Sequence, residues 1–137
     1  MAIYHIASHG YKHAPSDEDM AANVAMFTAG FTAAPHIEEF FVGQYAGNPA
    51  DGYHDTACVK FKDLDAYRLH MESPHGPDEA THLREHVARV KAFDVLTADE
   101  PADTAAAIID LYKMRWERSP DVAKVLREDV DTHFPFL

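Results

Sequence analysis

Ten histidines among 137 residues supply this chain with groups that titrate near neutrality. A free imidazole has a pKa of about 6.5, which suits proton abstraction beside a carbonyl. His5 sits in an alternating segment, Ile3-Tyr4-His5-Ile6-Ala7-Ser8-His9, and Asp55 lies in a second one that ends at Phe61. If those segments are adjacent strands, Asp55 can accept one imidazole N–H of His5, fix its tautomer and leave the other nitrogen as a base. The small residues Ala7 and Ala57 share those two faces and leave room for a ligand. The competing reading is a structural His–Asp hydrogen bond in a filled core.

Other patterns are weaker. His82-Leu83-Arg84-Glu85-His86 spells the H-x-x-E-H signature of inverted zinc peptidases. Such a site needs a third protein ligand and a cleft, and the surrounding Asp78, Glu79 and Arg89 read as a solvated helix face. His5, His9 and His13 are four apart, a spacing that a strand spreads along one face, and His13 falls in a loop. No metal is therefore expected. Cys58 points away from the Asp55 face and reads as a buried, inert thiol. No Gly-rich phosphate loop or nucleotide fingerprint is present, and no cofactor is expected.

The elements that must position these groups follow from pattern. After the first strand, Ser16 and Asp19 form a capping box, and Met20, Val24, Phe27 and Phe31 recur at helical spacing as one buried stripe. A second strand is predicted over His36–Val42, a turn-rich stretch from Gly43 to Gly52, and a third strand over Tyr53–Phe61. Asp63 caps a short helix through Met71, which Pro74 stops. A helix from Gly76 onward carries Ala80, Leu83, Val87 and Val90, and Phe93, Val95 and Thr97 mark a fourth strand. The order β-α-β-β-α-β, with its second helix split, is the ferredoxin-like arrangement, an α+β fold with a four-stranded antiparallel sheet. Residues 99–137 read as a helical hairpin, with Ile108, Leu111, Tyr112 and Trp116 on one face and Ser119-Pro120 starting the second helix. Two units are expected: a main domain over 1–98 and this extension, packed on it or on a partner subunit.

Composition narrows the function. With 47% hydrophobic and 26% charged residues the chain is an ordinary globular protein. A net charge of −11 sets aside nucleic acid and anionic membranes as partners. The single cysteine fits a reducing compartment, and no secretion signal opens the chain, so the cytoplasm is the expected location. Protonating all ten histidines would take the formal charge from −11 to −1, which predicts a solubility minimum at about pH 5.5. Tyr4, Ile6, Phe40, Val42 and Cys58, assigned to the sheet face away from the helices, are too apolar to stay wet, and a two-fold homodimer packed through that face is expected.

The chain resembles the stress-responsive A/B barrel (Dabb) family. The resemblance rests on Ile3-Tyr4-His5-Ile6, Val42-Gly43, Gly52-Tyr53-His54-Asp55 leading into Val59-Lys60-Phe61, the run from Leu64 to His75, and Phe93-Asp94-Val95. It spans residues 1–97 and leaves the C-terminal hairpin outside. It implies a dimeric α/β barrel with a pocket between sheet and helices. Family members include a polyketide cyclase and a plant hydroxynitrile lyase, and related barrels include cofactor-free monooxygenases and muconolactone isomerases. By the same resemblance His5 takes the place of the strand-one catalytic histidine and Asp55 that of a strand-three pocket residue. His70 stands where the family often has tyrosine. The family's His-Pro-x-His turn is reduced here to Ser73-Pro74-His75.

Together these readings point to a cofactor-independent lyase, cyclase or isomerase that moves a proton at carbon on a small apolar carbonyl or phenolic compound. His5 is the expected base, Asp55 its orienting acid, and His70 and His75 the donors to the developing oxyanion. Ala7, Phe27, Phe31, Ala57, Phe61 and Tyr67 are the expected substrate wall. The alternatives are a non-catalytic stress-response or hydrophobic-ligand-binding dimer, and a cofactor-free monooxygenase.

Overall fold

A computed structural model describes all residues 1–137. Strands β1 (Ile3–Tyr11), β2 (Glu39–Gln44), β3 (Asp55–Phe61), β4 (Val87–Leu96) and β5 (Asp131–His133) form one sheet in the order β2-β3-β1-β4-β5. The first four are antiparallel neighbours, and β5 adds in parallel to β4. Helices α1 (Asp17–Ala33), α2 (Leu64–Glu72), α3 (Glu79–His86), α4 (Thr104–Arg118) and α5 (Pro120–Glu128) complete the chain. This is the ferredoxin-like α+β arrangement, enlarged by one short strand that the polar segment Asp131-Thr132-His133 did not announce.

Alternation along β1 and β3 sets the two faces of the sheet. On β3, Asp55, Ala57, Val59 and Phe61 are buried while Thr56, Cys58 and Lys60 are partly exposed. Ile3 and Phe61 are fully enclosed and belong to one core cluster that runs through Tyr67, Met71 and Leu83 to Tyr112, Trp116, Val122 and Val130. The extension therefore shares the core of the main domain. Helix α4 packs on α2, and α5 on α3. Trp116 fixes the apolar tail, donating from Nε1 to the Pro135 carbonyl at 3.1 Å with Phe134 edge-on to its ring.

Several expectations change. The helix that was to carry Val87 and Val90 ends at His86. The β-branched Val87 opens β4, where the Val90, Ala92, Asp94 alternation pairs with β1. The stripe on α1 is not buried: the helix holds no buried residue, although the expected capping box at Ser16 and Asp19 is formed. Phe27 and Phe31 roof an open cavity and pack only in part, Phe27 on His9 and Phe31 on Phe40. Phe40 and Val42 stand opposite Val59 and Ala57, so they face inward. The outward row is Phe41, Cys58, Ile6 and Phe93, aligned across four strands. Phe41 is 70% exposed and Phe93 47%.

Gly10 has a packing reason. A Cβ there would lie 2.1 Å from the Gly52 carbonyl oxygen, and Gly52 itself has a φ of +77° that only glycine adopts freely. The close approach holds the loop before β3 against the end of β1, where His54 N donates to the His9 carbonyl at 2.8 Å.

Candidate active site

A cavity of about 560 Å³ lies between the sheet and the helices, lined mostly by apolar side chains. Its floor is the row formed by Ala57 and Ala7, whose methyl groups leave space that larger residues would fill. Phe27 and Phe31 from α1 cover it, stacked 6.0 Å apart, and Phe31 meets Phe40 at 5.5 Å. Trp116 and Phe134 close the side built by the extension.

The sheet presents two histidine–carboxylate pairs to this space. His5 and Asp94 are directly opposite on β1 and β4, where side chains come within short reach of each other. His5 Nδ1 lies 2.9 Å from Asp94 Oδ1. Tyr67 donates its hydroxyl to the same oxygen at 3.1 Å, and Tyr112 donates to Oδ2 at 2.8 Å. With both tyrosines donating to Asp94, its carboxylate is held as an acceptor, an arrangement that suits a proton on Nδ1 of His5 and turns Nε2 away from Asp94. Burial, reinforced by Asp94, raises the pKa of both tyrosines, so they remain phenols and keep donating.

Four residues along β1, roughly 13 Å at 3.3 Å per residue, His9 repeats the arrangement. Its Nδ1 lies 2.8 Å from Asp55 Oδ1, and Tyr11 donates to Oδ2 at 2.5 Å. The His9 ring stacks on Phe27 at 5.4 Å. Burial is the main cause that raises the Tyr11 pKa, with the bond to Asp55 adding to it.

The expected His5–Asp55 pair is therefore not formed. The register sets Val59 against His5 and gives Asp55 to His9, because an antiparallel pair runs its partners in opposite order. The carboxylate at His5 is Asp94. Alternation alone would turn the apolar Phe93 and Val95 inward and Asp94 outward; the register with β1 reverses this and sets Asp94 opposite His5. Ala7, Ala57, Phe27, Phe31, His70 and His75 line the cavity with His5 and His9. Phe61 and Tyr67 do not. Both are wholly buried, Phe61 beneath the His36 and His70 rings and Tyr67 behind Asp94.

His70, on α2, lies 6.2 Å from His5 and 5.7 Å from His36, ring centre to ring centre. Burial, helped by His5, Arg115 and His36, lowers its pKa to about 3, so it is neutral and can offer an N–H without carrying charge. Burial and then Arg115 lower His75 to about 4. His75 sits flat against Trp116 and shares a 2.7 Å hydrogen bond with Ser119. Sequence reasoning weighed His36 only as a remote metal ligand and Tyr112 only as an anchor of the hairpin, and it missed Arg115. Here His36 and Arg115 line the cavity, His36 Nε2 is buried without a partner, and Tyr112 reaches the His5–Asp94 pair. His82 and His86 stand exposed on α3, their rings 5.0 Å apart, and no third ligand joins them. Burial raises the pKa of Cys58, on the opposite face of the sheet.

No protein-family model and no curated protein sequence matches this chain. Solved structures do. A hydroxynitrile lyase from Passiflora edulis superposes with a TM-score of 0.56 at 18% identity, over 73% of this chain and 97% of its own. A Dabb family protein with a ferredoxin-like fold from Mesorhizobium loti gives 0.51 at 19%, over 70% and 96%. A cofactor-independent oxygenase from Streptomyces nogalater gives 0.51 at 17%, over 74% and 96%. These likenesses establish the fold. Each neighbour is matched nearly end to end while about a quarter of this chain has no counterpart in it, a share close to the length of the extension after β4. No helix is long and apolar enough to cross a membrane.

Proposed function

We propose that this chain is a cofactor-independent catalyst of proton transfer at carbon, acting on a small, largely apolar carbonyl or phenolic compound. The observation that carries the reading is the His5–Asp94 pair, braced by two tyrosines and opening on a cavity floored by alanines. His5 Nε2 removes a proton from carbon beside a carbonyl, and the imidazolium that forms is stabilised by Asp94. The electron pair moves onto the carbonyl oxygen, where the neutral N–H of His70 donates to it. Returning the proton elsewhere gives isomerisation; attack by the carbanion on a second carbonyl gives cyclisation; the reverse of such an addition gives C–C cleavage. A positioned base contributes about 10²–10⁴-fold and an oxyanion donor about 10²–10³-fold. Asp55 serves His9 in this scheme, and His75, bound to Ser119, shapes the wall.

Likeness to a hydroxynitrile lyase supports lyase chemistry as one outcome, and likeness to a cofactor-independent oxygenase supports a second fate, in which the same carbanion reacts with O2. Oxygen uptake with a phenolic substrate separates the two. The working unit is proposed to be a homodimer in the cytoplasm, built by covering the outward Phe41, Ile6 and Phe93 row. The test is a thermal-shift screen of phenols, polyketide-like ketones and lactones against wild type and His5→Ala. At a hundred times its Kd a ligand stabilises by about 2.7 kcal/mol. A stabilising ligand whose turnover is lost in His5→Ala supports the reading. Turnover unchanged in that variant ends it, and a ligand bound without turnover favours a non-catalytic binding role.

A further inference from the structure

Arg115 is a charged side chain, half-buried in the cavity wall, that the proton-transfer scheme leaves unused. Its Nη1 donates to the carbonyls of Met71 at 2.9 Å and Ser73 at 3.0 Å, clamping the turn after α2. That uses two of the five N–H groups of a guanidinium. The other three, on Nη2 and Nε, have no protein partner, and no ion pair in the chain includes Arg115. Glu79 lines the same cavity but is exposed and stays beyond salt-bridge distance. Glu79 offsets part of the charge from a distance, but no carboxylate pairs with the free edge of the guanidinium, and a clamp on two carbonyls does not require a charge there. A second unpaired group lies in the same wall: His36 Nε2 is buried with no hydrogen-bond partner.

We infer that Arg115 is an anion-recognition residue and that the substrate of this cavity is a small carboxylic acid. The free edge of the guanidinium, Nε and Nη2, offers the parallel pair of donors that a carboxylate accepts bidentately. Arg115 lies three residues after Tyr112 on α4, so the two side chains share a helix face, and Tyr112 touches the His5–Asp94 pair. The carboxylate is thereby anchored beside the base, and the apolar remainder lies over Ala7 and Ala57 beneath Phe27 and Phe31. A chain of net charge −11 repels anions at long range, which makes a cation with a free donor edge in this wall a specific attraction. The inference rests on the reading of this cavity as the substrate site, and it places part of the specificity on the C-terminal extension.

The test uses benzoate and its neutral isostere benzamide, titrated by calorimetry into the full-length protein at low salt. Wild type is expected to bind benzoate at least about tenfold more tightly than benzamide, from charge-assisted bonds alone. Arg115→Gln abolishes the preference. Arg115→Lys, which keeps the charge without the fork, retains a weakened and salt-sensitive preference and serves as the readout if the glutamine variant does not fold. The readout is binding alone, with no turnover measured, so a failure of the proton-transfer reading leaves this result standing. Equal affinity for the two probes in wild type, no binding of either, or a preference that survives Arg115→Gln overturns the inference.

Discussion

Acidification should destabilise this protein through His70, by an amount that the structure sets. The ring lies among Phe61, His5 and His36, and its pKa falls from 6.5 in the free side chain to about 3 in the folded chain. Above pH 6.5 both states are neutral at this site and its contribution is fully retained. Below that value the unfolded chain takes up a proton that the folded chain refuses, so stability declines until the pH approaches 3. Each pH unit in that window costs about 1.4 kcal/mol, so moving from neutrality to pH 5 removes about 2 kcal/mol through this group. His75 acts in the same direction, with a smaller effect because it is more exposed to solvent. The comparison is wild type against His70→Phe, which keeps the ring packed on Phe61 and removes the titration. Urea melts at pH 7.5 and pH 5.0, at fixed protein concentration, should show wild type losing about 2 kcal/mol more than the variant, a relative midpoint shift of about 1 M. Parallel losses in the two proteins would refute the burial argument.

Other expectations follow from single contacts. Asp94→Asn should unlock the His5 tautomer and lower kcat at least about 100-fold on a substrate found by the screen; its stability loss should stay near 1–3 kcal/mol, the cost of weakening bonds to a buried acceptor, measured by denaturant melts. Trp116→Ala should cost about 3–5 kcal/mol and loosen the tail, because it empties a buried site shared with His75 and Phe134. Phe41→Glu or Phe93→Glu, each a charge set in the exposed apolar row, should give a monomer mass by light scattering where wild type gives a dimer. A solubility series should show its minimum at about pH 5.5 as histidines other than the buried His70 and His75 protonate.

The fold was largely legible because its signals are local. Alternation in Ile3–His9 and Asp55–Phe61, the Ser16 capping box and the Ser119-Pro120 start each name an element through neighbours a few residues away. Pairing is not local. Whether Asp55 meets His5 or His9 depends on register, and that is settled by chain reversal between β1 and β3, which no single residue reports. The same holds for Phe40 and Val42, whose face is fixed by their partners Val59 and Ala57. The roof was misjudged for another reason. The Met20, Val24, Phe27, Phe31 stripe has helical period, but periodicity cannot tell a face packed on side chains from one that covers a cavity. Tyr112 and Arg115 reach the site from the extension by tertiary contact alone.

The central claim is that His5 Nε2 moves protons at carbon inside the cavity. Deuterium exchange into a panel of small 1,3-diketones and aryl ketones in D2O, followed by NMR, tests it without knowledge of the physiological substrate. Wild type should accelerate exchange at the carbon beside the carbonyl for at least one member, His5→Ala should return the rate to that of buffer, and Asp94→Asn should fall between them. Exchange at the buffer rate with every member in wild type, or acceleration that persists in His5→Ala, would contradict the account.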